Sequence, residues 1–82
     1  MSVSKQTIET VYNRFKFLRQ AAGWTSEQVA AELGLSRQTI VNIETKKMPL
    51  SRIQCIAFLA ILNERGFELP ELQKIVRAVL AG

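Results

Sequence analysis

The chain has 82 residues, is 48% hydrophobic and carries a formal charge of +4, which is enough chain for one small domain and too little for a second core. It has no histidine and a single cysteine; that excludes an internal disulfide, leaves a serine or cysteine triad without its base, and removes the usual zinc ligands. The high apolar content with only four glycines and two prolines is that of a folded chain and leans helical, so an all-α domain with no catalytic centre, cofactor or metal is expected.

Five helices can be drawn with short connections, at about 8–22, 26–33, 37–45, 51–65 and 70–81. In the first, Ile8, Val11, Tyr12, Phe15, Leu18 and Ala22 recur at the three-and-four spacing of one helix face, with Thr7 as cap and Gly23 as stop. Thr25 or Ser26 caps the second, because either hydroxyl can accept from the free amides of the first turn, where Glu27 and Gln28 also sit well. Val29, Ala30 and Leu33 form its inward face.

The stretch "AAELGLSRQTIVNIE" then places one glycine inside good helix-forming sequence. Gly34 can take positive φ, Leu35 drops an apolar side chain back toward the core, and Ser36 caps a third helix, so two short helices meet at a steep angle. A fourth begins at Leu50 or Ser51 after Pro49 and runs to Arg65, where Gly66 is expected to stop it. The fifth starts with Pro70 at its first position. No internal repeat or long linker interrupts this plan, and one domain is the economical reading.

Positive charge is concentrated in the first half, and no acid occurs between Glu32 and Glu44, which suits either a polyanionic partner or a basic solvated surface. The opening "MSVSKQT" lacks a signal-type apolar run. The longest apolar stretch, "IQCIAFLAIL", is about half of the ~20 residues a membrane span needs. These features predict a cytoplasmic protein without membrane contact. Cys55 lies inside that apolar run and reads as a buried structural thiol.

The segment "FKFLRQAAGWTSEQVAAELGLSRQTIVNIE" resembles the Cro and phage-repressor helix-turn-helix family, the XRE or lambda-repressor-like family. The likeness rests on small Ala30 at the helix crossing, Gly34 in the turn, Leu35 after it, and Ile40 and Ile43 on the inner side of the next helix. It implies a five-helix lambda-repressor-like domain whose helices 2 and 3 form the helix-turn-helix, and a transcriptional regulator of double-stranded DNA, acting as a repressor. By the resemblance Arg37, Gln38 and Asn42 fall at base-reading positions, with Thr39 beside them. Arginine can pair bidentately with guanine, glutamine and asparagine with adenine, and a threonine methyl can touch thymine. Thr25, Ser26, Gln28, Ser36, Lys46 and Lys47 are the expected phosphate contacts. The family pattern also pairs an arginine late in the first helix with a glutamate ending the third, here Arg19 and Glu44, which reads as a structural ion pair. Trp24 reads as an apolar lid on the helix junction. The chain departs from the pattern at Ser26, where glutamine is common, and at Lys46, which replaces a glycine in a turn that looks one residue short.

The fourth helix is apolar nearly all round, and the fifth carries a stripe that a chain this short has little interior to receive. Leu69, Leu72, Val76, Val79 and Leu80 are therefore expected at a homodimer interface, and two reading helices about one DNA turn apart would suit a pseudo-palindromic operator. The competing reading is a protein-binding module, an antitoxin or adaptor, that uses the apolar C-terminal helices to hold a protein partner.

Overall fold

The computed structural model describes residues 3–82; Met1 and Ser2, the first residues of the stretch read above for a leader, lie outside the described residues. Six helices follow in chain order: α1 (Lys5–Asn13), α2 (Phe15–Ala21), α3 (Ser26–Leu33), α4 (Arg37–Glu44), α5 (Arg52–Glu68) and α6 (Pro70–Ala81). Among the described residues there is no strand.

The expected first helix is two helices, bent at Arg14 (φ −111°, ψ 13°). The Arg14 amide is shared between the carbonyls of Thr10 and Val11 at 3.1 and 3.2 Å, the three-centre arrangement common at helix ends. The apolar spacing runs unbroken through the bend, since Val11, Phe15 and Leu18 all reach the core with 1% exposure or less. The cap also lies earlier than expected. Ser4, not Thr7, opens α1, its Oγ accepting from the Thr7 amide at 3.0 Å.

Thr25 and Ser51 each close a capping box, with Gln28 and Gln54 returning a side-chain carbonyl to the cap amide. Each box satisfies two amides that the first turn leaves without helical partners. All six helices then supply the core: Val11, Phe15, Leu18, Val29, Ile40, Ile43, Cys55, Phe58, Leu62 and Leu72 are essentially inaccessible. At its centre the rings of Phe15 and Phe58 stack with centroids 4.1 Å apart. Burial pushes the Cys55 thiol above its ordinary value and the Arg52 charge draws it partly back, so it sits in the core as a neutral, unreactive group.

Helix α5 passes through Gly66 and ends at Glu68, against the expectation of a stop at the glycine. Gly66 is instead a contact point: a Cβ there would lie 2.5 Å from Cγ of Gln73, so the missing side chain is what lets α6 fold back closely on α5. From there α6 packs on α1 and α2 as well as α5. That return corrects a further expectation, because Leu72 is 1% exposed and belongs to the core of the monomer; it is not available to a second subunit.

Gly66→Ala should cost about 1–2 kcal/mol of stability and so lower the urea midpoint, the strain of overpacking exceeding the gain in helix propensity. Adding Gln73→Ala removes the atoms in the way and should recover most of the loss in urea unfolding.

Candidate nucleic-acid interface

The pair α3 and α4 is joined by a turn closed by backbone hydrogen bonds. Gly34 takes the left-handed conformation (φ 68°), its amide donates to Ala31 O at 3.3 Å, and the Leu35 amide donates to Ala30 O at 2.9 Å. These are the two backbone bonds of a Schellman cap. Ala30, 3% exposed, is buried on α3 just before the turn, where a larger side chain would push the packed helices apart. Ser36 then starts α4 by accepting from the Thr39 amide at 3.1 Å.

Helix α4 has two unlike faces. Ile40 and Ile43 are fully buried, whereas Arg37 and Gln38 are exposed and Thr39 and Asn42 half-buried. Gln38 and Asn42 are not independent: Gln38 Nε2 donates to Asn42 Oδ1 at 3.0 Å, leaving the glutamine oxygen and the asparagine amide hydrogens directed at other partners. Two long polar side chains are thereby held as one unit on the outer surface.

The orientation of α4 is fixed from behind. Arg19 Nε meets Glu44 Oε2 at 2.6 Å and Arg19 Nη2 meets Oε1 at 3.1 Å, a bidentate pair whose side chains are 10% and 8% exposed. The third donor, Nη1, reaches Trp24 O at 2.8 Å. One guanidinium therefore joins the end of α2, the loop before α3 and the end of α4. Trp24 itself is partly buried against the core.

The expected phosphate residues fall into two groups. Thr25 and Ser26 line an open cleft of about 420 Å³ with Arg19, Glu27 and Arg37, where the free amides of α3 meet the guanidinium that begins α4. Gln28 is partly engaged, its Oε1 accepting from the Thr25 amide at 2.8 Å. The hydroxyl of Ser36 is shared with Thr39 Oγ1 at 2.9 Å. At the other end of α4, Lys46 and Lys47 are both exposed but differently placed. Lys46 adopts φ 65°, the left-handed region that costs a residue with a Cβ about 1–2 kcal/mol. Its Nζ donates to Tyr12 O at 2.6 Å and stands 3.6 Å from the centroid of the Tyr12 ring. Tyr12 had been legible in the sequence only as an apolar position of the first helix; its hydroxyl donates to Met48 O at 2.8 Å, which a tyrosine on a buried face signals only in that its hydroxyl must find some partner.

A family model described as helix-turn-helix matches residues 15–69, more than half of the chain and the whole of the segment from α2 through α5. The chain belongs to the XRE-type, Cro/CI-like helix-turn-helix family. Comparisons with curated proteins and with solved structures gave no match. A family of this kind makes the protein a DNA-binding transcription regulator. Among the described residues no cluster of acids or cysteine could hold a metal ion, and no helix is long and apolar enough to cross a membrane.

Because Arg19 and Glu44 are both withdrawn from water, Arg19→Ala or Glu44→Ala leaves one charge buried without its partner and should cost about 3–5 kcal/mol. The double replacement Arg19→Met with Glu44→Leu should recover most of that stability in urea unfolding, since a packed apolar pair needs no desolvation of charge.

Proposed function

We propose that the protein is a cytoplasmic repressor that reads a pseudo-palindromic operator as a dimer, with α3 and α4 as its helix-turn-helix and α4 in the major groove. The observation that supports this most is the outer face of α4, where Arg37 and the hydrogen-bonded Gln38 and Asn42 stand on a helix held by buried contacts on its other side. Side chains so arranged can reach base edges, which present a distinct pattern of donors and acceptors for every base pair in that groove. Thr39, half-buried beside them, offers its methyl to thymine. Thr25, Ser26, Gln28, Ser36 and Lys47 supply the phosphate contacts that orient the reader. Occupancy of the operator then blocks transcription by exclusion, and no catalytic group is called for.

Dimerisation uses the C-terminal helices. Leu69 and Leu80 are 37% and 42% exposed, Val76 and Val79 pack partly against the core, and Val76 and Leu80 line an apolar groove of about 440 Å³ with Val3, Leu59 and Leu62. Ile53 and Phe67 on α5 are more exposed still, at 79% and 76%. The same surface supports the second reading, an antitoxin or adaptor that holds a protein partner there.

Selection from random duplex DNA should enrich a symmetric site. Gln38→Ala and Asn42→Ala should each weaken binding to that site about tenfold, and the double variant should lose less than the product of the two, because each single change already breaks the shared hydrogen bond. Absence of an enriched site, with substitutions on α4 neutral and Leu80→Glu or Phe67→Glu disabling, would favour the protein-binding reading.

A further inference from the structure

Three helices of this chain end in the same backbone arrangement, and one of them does so with the wrong residue. After α2 the Gly23 amide donates to Gln20 O at 3.0 Å and the Trp24 amide to Arg19 O at 3.1 Å, and after α3 Gly34 and Leu35 repeat the pattern at 3.3 and 2.9 Å. After α4 the Lys46 amide donates to Ile43 O at 3.2 Å and the Lys47 amide to Asn42 O at 2.8 Å. The left-handed position is glycine in the first two cases and lysine in the third. A Cβ at that position is disfavoured, so a strained residue there asks what its side chain supplies.

The side chain spans from the end of α4 to α1. The Lys46 ammonium is held by the Tyr12 carbonyl and by the face of the same ring, a hydrogen bond and a cation–π contact at once. The ring returns a second bond, from its hydroxyl to Met48 O. Between these two anchors lies Lys47, whose ammonium makes no hydrogen bond or ion pair to the described residues, and the carbonyl of Asn42 accepts from the amides of both Lys47 and Met48 at 2.8 and 3.2 Å. The turn is thus hung from the backbone of a residue on the outer face of α4 and fastened to α1 on either side of Lys47.

We propose that Lys46 and Tyr12 are positioning residues for DNA binding: their contact fixes the turn after α4, so that Lys47 meets the phosphate backbone in register with the bases that α4 reads, while Lys46 itself makes no phosphate contact. The inference rests on α4 being the reading helix. An ammonium committed to a carbonyl and a ring must give up both to reach a phosphate, whereas Lys47 gives up nothing. Binding groups are effective only when their supporting contacts hold them within a fraction of an ångström of the productive geometry.

The test uses the whole chain, a duplex selected from a random pool, and a scrambled duplex, over a range of salt. Lys47→Met should reduce the slope of log affinity against log salt by ~0.9 and weaken both duplexes alike, as loss of one phosphate contact does. Lys46→Gly should fold at least as stably as the wild type, since glycine relieves the strained position, yet bind the selected duplex ~5–10-fold more weakly with its salt slope unchanged, because an unfastened Lys47 still neutralises a phosphate but must first be ordered to meet it in register. Tyr12→Leu should reproduce that loss, and Lys46→Arg, which keeps a cation over the ring, should stay within about threefold of wild type. The inference is overturned if Lys46→Gly binds as well as the wild type, or if it lowers the salt slope as Lys47→Met does. Gln38→Ala in the same assay examines the underlying reading: it should lower the preference for selected over scrambled duplex about tenfold at constant slope. If the preference is unchanged, α4 is not the reader and the positioning role loses its object.

Discussion

The geometry of this molecule turns on the guanidinium of Arg19. It is planar and always charged, with more donors than any single partner can use, and here it satisfies a carboxylate from α4 and a carbonyl from the loop before α3 at the same time. Hydrophobic packing alone would seat Ile40 and Ile43 in the core but leave α4 free to slide or turn slightly about its axis, since apolar contacts have little direction. A bidentate pair between rigid planes has direction. The outer face of α4 is therefore set by a bond on its inner side, and an ion pair that adds little net stability over an apolar replacement still adds definition.

The same division between packing and direction recurs along the chain. Apolar burial explains why all six helices contribute to one core, in which Phe15 and Phe58 stack, but the angles at which they meet are set by local details: reciprocal capping at Thr25 and Ser51, a left-handed residue after three of the helices, and the absence of a side chain at Gly66. Each of these satisfies backbone groups or permits an approach that the core itself does not require. The pair α3 and α4 carries three of these fastenings, at Thr25, Gly34 and Lys46, which is what a rigid surface needs to match another rigid surface.

Much of this was legible in the residues. The period of apolar positions, together with Ser36, Gly34 and Thr25, marks the bounds of α3 and α4, because hydroxyl caps and a glycine stop each have a local cause. The bend at Arg14 was not, since the apolar spacing continues through it and no breaking residue stands there. Nor was the passage of α5 through Gly66: a glycine near a helix end signals a stop, and only the position of Gln73 on another helix shows that it serves a close approach instead. Leu72 was read as surface because the size of the core could not be judged before α6 was seen to fold back. At the candidate interface the polar face of α4 followed from helical spacing and from the family pattern. The contact of Lys46 with Tyr12 did not: the only sign of its left-handed backbone was that it stands where the family has a glycine, and its partner Tyr12 lies on a different helix.

The hydrogen bond between Gln38 and Asn42 bears on how a protein like this one can change its target over time. On the proposed reading, Arg37 stands outside that side-chain bond and can be exchanged alone, so recognition at its base position would drift by single substitutions. Gln38 and Asn42 share a proton donor and acceptor, and a change at one alters what the other can offer. On the same reading, descent toward a new operator through that pair would pass an intermediate in which one amide has lost its neighbour, which makes the base pairs facing the two residues slower to diverge than the one facing Arg37.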